Sequence, residues 1–343
     1  MSNQISATVI CDSINEHNDR ITTIECVVPR IVLAEFNTHR MFSRNSASSR
    51  AIPAKKMIQM LRDEPFIPIK WMKQHSGMQG NEYFDLDQPE VLGQFRPKYF
   101  PEAWLRSRDT MINMSESMAD AGLTKQITNR LLEPFMYHKI LVTATDYENF
   151  TSLRANEAAE IHIQDFAYKL IEALNKSVPK SLRAGEWHMP YSDGIDSAAL
   201  WKFFIEGKSN VALQENVWAR IRTELKLKIC TARCAQTSYV IIGEDGKPMD
   251  YEKLIKLHDR LAENGHVSPF EHCSQAMTKD EYFSYARGKA YWVENETTYE
   301  GYNRFAAEDY GWCGNFRGWK QYRKMLPNEN RTDSRIIKHT YNG

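Results

Sequence analysis

Neither sign of charge predominates in this chain, which sets 44 lysines and arginines against 44 aspartates and glutamates over 343 residues. The electrostatic footprint of a protein that grips nucleic acid over a broad surface is therefore missing, and any basic site has to be local. Cysteine is sparse as well. The six present, Cys11, Cys26, Cys230, Cys234, Cys273 and Cys313, have neither the density nor the spacing of a disulfide scaffold, so a reduced compartment is expected. Cys230 and Cys234 stand four apart and His272 abuts Cys273, but paired CxxC sets are lacking and no metal site is expected. With 16 glycines and 13 prolines the composition is neither fibrous nor low-complexity. No apolar run approaches the roughly 18 residues of a membrane span. The opening MSNQISATVICDS has neither a basic nor an apolar leader region, so a soluble cytoplasmic protein is expected.

What is present is an ordinary globular composition, 42% hydrophobic and 26% charged, long enough for one large domain with insertions or for two smaller ones. Arg20 to Val28 is rich in β-branched residues and reads as a strand, after which PRIVLAEFNTHR reads as a helix with Glu35 and His39 on one face. A short helix is expected near Lys55 to Leu61. Prolines and glycines break the pattern between residues 64 and 104, which reads as a long loop or insertion. Helical periodicity returns at Trp104 to Met118 and from Leu153 to Leu174, then at Leu213 to Leu227. ICTARCAQTSYVII (229–242) looks strand-like, EDGKPMD (244–250) reads as a turn, and Tyr251 to Asn264 reads as a helix capped by Gly265.

Three segments could carry chemistry. THRMFSRNSASSR, residues 38 to 50, gathers His39, Arg40, Arg44 and Arg50 among Ser43, Asn45, Ser46, Ser48 and Ser49. Guanidiniums give charge-assisted bonds to phosphate and hydroxyls add short-range donors, although a solvated loop has the same composition. In GHVSPFEH, Ser268 and Glu271 have the spacing of a capping box with Pro269 at the first helical position. That describes either a plain helix start or one that receives an anion. In NFTSLR, Arg154 opens an apolar-faced helix and, like Arg130 in NRLLEP, either snorkels to solvent or serves a site.

These segments together resemble the flavin-dependent thymidylate synthases. His39-Arg40 followed by Ser43, Asn45, Ser48 and Arg50 is similar to that family's Arg-His-Arg, spacer, Ser, Arg signature. Ala232-Arg233-Cys234 ahead of a helix and GHVSPFEH resembles its ARVS and GHxTPFEH pair. Asn149, Phe150, Leu153 and Arg154 match its NFxxLR segment, and Arg130 resembles an arginine before a Leu-x-Pro-like turn. In the family the GHxTPFEH segment comes first, whereas here it lies far behind the His-Arg motif, so the chain looks circularly permuted. Thr38 replaces the signature's first arginine, Ser46 stands where glutamate is common, and Thr143 to Thr145 depart from the family's Asn-Ala-Arg.

The resemblance implies an α+β fold, with helices around a curved, mainly antiparallel sheet, built as one intertwined catalytic domain over residues 1–343. Within it, 64–104 would be an insertion, 175–228 a connection, 229–272 the permuted segment and 273–343 a C-terminal extension. It implies methylation of deoxyuridine monophosphate (dUMP) to thymidylate (dTMP) by a homotetramer, with FAD as cofactor and NADPH and methylenetetrahydrofolate as cosubstrates. Arg154 and Ser48 are the implied catalytic residues. Glu35, Ser46, Ser48, Ser49, Arg50, Arg130 and Arg154 are the implied nucleotide-binding set, and Thr38, His39, Arg40, Asn149, His266, Ser268 and Glu271 the flavin-binding set. A hydroxymethylase on the same fold is the nearer alternative. A different class is also open, because YGWCGNFRGWKQYRKML (310–326) alternates aromatics and cations as single-stranded nucleic-acid binders do. The three-residue spacing of Phe316, Trp319 and Tyr322 suits a packed helix, or a wall against folate or flavin, equally well.

Overall fold

The computed structural model describes residues 4–46, 48–77, 80, 82–88, 91–93, 95–206, 208, 212–236, 250–285, 310–327 and 329. Strands β1 (Ser6–Ile14) and β2 (Arg20–Pro29) form an antiparallel hairpin. Its turn is tied by Asn15, whose Oδ1 accepts from the backbone amides of His17 and Asp19. With β3 (Ser43–Ser46), β4 (Tyr137–Ala144) and β5 (Lys180–Ser181) the hairpin builds a five-stranded sheet of order β3-β4-β2-β1-β5. Every pairing in it is antiparallel except β1 with β5. The fold is α+β.

Strand side chains alternate between faces, so β2 and β4 divide their residues cleanly. Ile24, Cys26 and Val28, beside Ile140, Val142 and Ala144, form a first face that packs under Phe36, Phe150 and Phe166. The aromatics come from α1 (Leu33–Phe36), α5 (Glu148–Arg154) and α6 (Ile161–Lys176). Burying each such side chain stabilises the fold by about 1.5–3 kcal/mol. Between α1 and α5 in the chain, α2 (Ala54–Asp63), α3 (Phe100–Asp120) and α4 (Lys125–Thr128) lead up to a 3-10 segment, Asn129–Phe135. A satellite cluster of Met57, Leu61, Ile112, Leu132 and Phe135 unites α2, α3 and the 3-10 segment.

The second face of the sheet carries Ile21 and Thr23 and is covered by the later part of the chain. Helices α7 (Ser197–Ile205), α8 (Glu215–Gln236) and α9 (Tyr251–Glu263) share one cluster, and a sixth strand, β6 (Trp187–His188), joins β7 (Ser274–Ala276) and β10 (Trp319–Gln321) in a three-stranded antiparallel sheet. Helix α10 (Lys279–Ser284) begins with a full capping box from Thr278 and Glu281, and β8 (Trp312–Cys313) and β9 (Phe316–Arg317) form a small hairpin. Gly318, between β9 and β10, has φ of 75°, and a Cβ there would lie 2.4 Å from the Asn15 side chain. Only glycine fits that approach, where Asn15 Nδ2 donates to the Gly318 carbonyl at 2.8 Å.

Several expectations need correcting. The helix read into PRIVLAEFNTHR is a 3-10 turn, Arg30–Val32, and four residues of α1, because a turn breaks it at Asn37 and Thr38. Leu153 to Leu174 is two helices, so Arg154 ends α5 instead of opening a long helix. Residues 229 to 236 are the last turns of α8, not a strand; the remainder of that expected strand and the turn from 244 lie outside the described residues, apart from Asp250. The 64–104 segment holds isolated bridges and the start of α3, and its Phe66 is fully buried against Trp104, Tyr137 and His162. The C-terminal aromatics are not a helix. Phe316 and Trp319 are fully buried on short strands, so neither offers a face to a nucleic-acid base.

Candidate functional site

Arg154 is the last residue of α5, where its side chain leaves the helix toward the end of α1. Its Nε donates to His39 Nε2 at 3.0 Å and its Nη1 lies 3.4 Å from Glu35 Oε2. These three residues, drawn from two distant stretches, meet over the first face of the sheet. His39 is only 5% exposed and stands edge-on to Phe150, with ring centroids 4.8 Å apart. Burial, with Arg154 beside it, lowers the His39 pKa, and a side-chain hydrogen bond to Asn149 opposes this only in part. A neutral imidazole is what the geometry needs, since Nε2 accepts a hydrogen bond from Arg154. Glu35 is shifted upward by burial and by the charge of Glu160, against the pull of Arg154.

Other motif residues serve different ends. Thr38 Oγ1 donates to the Glu35 carbonyl at 2.6 Å, closing the end of α1. Arg44 Nη1 donates to the Phe36 carbonyl and the guanidinium lies over the Phe36 ring, while burial and the nearby Arg40 lower its pKa. Arg40 itself is exposed.

Asn45, on the second face, bonds across to the later half of the chain: Nδ2 donates to the Cys234 carbonyl at 2.9 Å and Oδ1 accepts from Ser268 Oγ at 3.1 Å. Ser268 therefore reaches β3 through Asn45, on the face opposite the His39–Arg154 group, and among the described residues no bond joins it to His39 or Arg40. The bond to Asn45 also replaces the expected capping box. The 3-10 segment Ser268–Glu271 has Val267 at its N-cap and no side-chain cap, and Glu271 pairs with Arg323. His266 is exposed and joins the end of α9 through its backbone.

A third group surrounds Ser49, whose hydroxyl donates to Glu133 while Asn129 Nδ2 donates to its carbonyl. Glu133 also holds Arg30 at 3.4 Å. Arg50 and Arg130 are both exposed and make no hydrogen bond or ion pair among the described residues. Ser46 ends β3 and Ser48 is half-buried just after it.

The sequence reading missed Glu133, Asn129, Asn315 and Gln321, of which the last two bond Ser43 or each other. It also missed a buried polar chain on the second face. His188 Nε2 meets Thr23 Oγ1 at 2.8 Å, Thr23 meets Thr143 at 2.7 Å, and Thr143 meets His272 Nδ1 at 2.8 Å. Burial holds His188 and His272 down at about 3, so both are neutral. The signal was available in Thr143, whose departure from the family pattern is explained by this hydroxyl relay.

Among the described residues no helix is long and apolar enough to cross a membrane. Residues 11–180 match the family described as thymidylate synthase complementing protein. No curated protein matches the chain.

Proposed function

Because the chain belongs, through residues 11–180, to the thymidylate synthase complementing protein family, whose activity is flavin-dependent thymidylate synthesis, we propose that it converts dUMP to dTMP at Arg154. The single observation that carries this assignment is the clamp on that arginine. His39 takes Nε and Glu35 takes Nη1, so among the described residues Nη2 is left for a ring carbonyl. A fixed guanidinium beside uracil favours the ring ionised at N3, and it costs no reorganisation during the reaction because its partners already hold it. Cytosine has no N3 proton to lose, so deoxycytidine monophosphate is excluded on the same ground.

Arg50 and Arg130, unpaired and exposed, suit the nucleotide phosphate, with Ser48 beside Arg50. Ser49 acts indirectly, since its hydroxyl is spent on Glu133. The residues present fit a flavin: neutral His39, exposed Asn149 and exposed Arg40 offer an aromatic edge, an amide and a cation without a buried unpaired charge. When bound, FAD supplies the reducing equivalents, drawn from NADPH, that turn the one-carbon unit of methylenetetrahydrofolate into a methyl group. Ser268, held by Asn45, belongs to the same reading, and its meeting with β3 supports a permuted order in which residues 229–272 stand in for the family's leading segment. A homotetramer follows the family by analogy.

The test incubates dUMP with FAD, NADPH and methylenetetrahydrofolate and weighs the nucleotide product. The methyl mass is expected. A hydroxymethyl mass replaces the synthase by a hydroxymethylase, and an unchanged nucleotide overturns both.

A further inference from the structure

A cavity of about 1010 Å³ opens on the second face of the five-stranded sheet, away from the helices that carry Arg154. Its floor is the edge of β1 with Cys11 and Ser13, which turn toward His188. One wall is α8, and the other is the stretch from Lys180 to Asp193. The volume suits a ligand of nucleotide size or larger, since small-molecule pockets run to roughly 300–1,000 Å³.

Its walls carry four cations and four acids, but the cations are unpaired among the described residues while two of the acids are engaged. Arg222 and Lys226 are one helical turn apart on the cavity side of α8, and neither has an acid three or four residues away. Arg220 and Lys180 add two more cations at the mouth, and none of the four makes a hydrogen bond or ion pair among the described residues. Two of the four acids are engaged elsewhere. Asp12 holds Arg20 through two bonds and also accepts from Thr22 and Ser177. Glu186 folds back onto the Arg183 amide. Asp193 and Glu224 are left against the four cations, Glu224 one helical turn from Arg220, which leaves Arg222, Lys226 and Lys180 as the cations available to an anion. The remaining lining is mixed, with Ser192 and Thr223 as hydroxyls and a half-buried Trp187 able to offer a ring face.

We propose that this cavity binds a nucleoside polyphosphate, with Arg222, Lys226 and Lys180 on the phosphates and Trp187 against the base, at a site separate from the nucleotide site at Arg154. Several adjacent unpaired cations call for a multiply charged anion, and guanidinium and ammonium groups bond phosphate oxygens with charge assistance. The aromatic wall adds a preference for a ring over bare phosphate.

The test measures binding of deoxythymidine triphosphate, tripolyphosphate and thymidine to the whole chain by calorimetry, with and without excess dUMP. The triphosphate should bind most tightly, tripolyphosphate more weakly and thymidine not detectably, with no competition from dUMP. The double substitution Arg222→Glu and Lys226→Glu should weaken triphosphate binding on the order of a hundredfold or more, as expected for losing two charge-assisted contacts. Lys180→Glu, on an exposed residue, should give a smaller loss and serves as the check should the double variant melt early. Trp187→Leu should erase the margin of the triphosphate over tripolyphosphate. Arg154→Ala should leave this binding untouched. Undiminished affinity in both charge variants, displacement by dUMP or loss in Arg154→Ala would each overturn the proposal.

Discussion

Three buried histidines make this protein sensitive to mild acid in a way that can be worked out. His138, His188 and His272 are each at most 1% exposed, and burial brings each down to about 3 from the ordinary value near 6.5. Arg30 adds to the effect at His138, and His188 adds to it at His272. A depressed histidine leaves the folded state neutral while the unfolded chain takes up a proton. Its contribution to stability is therefore complete above pH 6.5 and is lost progressively as the pH falls toward 3. At pH 5 the unfolded chain gains about 2 kcal/mol per histidine from protonation, hence roughly 6 kcal/mol for the three. That is comparable to the whole stability of an ordinary domain, about 5–15 kcal/mol. Carboxylates with lowered values, Asp12, Glu160, Asp259 and Glu281 among them, act below this window, because their ordinary values are already near 4. Urea unfolding followed by tryptophan fluorescence at steps from pH 7.5 to 5 measures the effect. Between pH 6 and 5 the slope should approach three protons, about 4 kcal/mol per pH unit. A slope of less than one proton there would show that these imidazoles are not buried and neutral together.

Arg154→Lys keeps the charge but loses the fork that meets His39 and Glu35 at once, so turnover should fall on the order of a hundredfold with KM for dUMP changed far less. Unchanged steady-state turnover would return Arg154 to a surface role. Thr143→Val removes the hydroxyl shared by Thr23 and His272, leaving His272 with no partner on either nitrogen, and should cost about 2–4 kcal/mol in urea unfolding. A loss below 0.5 kcal/mol would mean the relay is not formed. A fragment ending at Ser181 should lack cooperative thermal unfolding by circular dichroism, because the second face of its sheet would be bare; a sharp transition in that fragment would refute the coupling.

Part of the candidate site was legible because the family signature is local in sequence, and three of the residues read from it, Glu35, His39 and Arg154, do meet. Glu35 and His39 were placed on one face by spacing alone, and they do share Arg154, although through a turn and not through a continuous helix. The C-terminal half was harder to read for a physical reason. Ile229 to Gln236 contains Cys230, Cys234 and β-branched Thr231, which suggest a strand. In α8 these residues are buried on tertiary packing, and packing outweighs the few tenths of a kcal/mol that separate propensities. Ser268 and Glu271 have the spacing of a cap, but Asn45 offers the serine a partner more than 200 residues away, and no local pattern encodes that. Glu133 was invisible for the same reason, since its partners Ser49 and Arg30 lie far upstream.

These long-range bonds bear on why the chain extends well past the family-matched span. On the second face, Thr23 and Thr143 find His188 and His272, Asn45 finds the Cys234 carbonyl and Ser268, and Ser43 finds Asn315. All these partners lie beyond residue 180, where the match ends. A buried donor or acceptor left unmade costs about 1–3 kcal/mol, so these polar residues would oppose folding if the later half were absent. Polar side chains on that face are thus tolerable only in a chain that supplies their partners, and the partners are side chains and one carbonyl, which demand a particular register and not merely an apolar cover. The same bonds bring Ser268 to β3, the strand that follows the His39-Arg40 turn. Ser268 thus reaches β3 from more than 200 residues away, because what sets the meeting is the sheet face and not order in sequence.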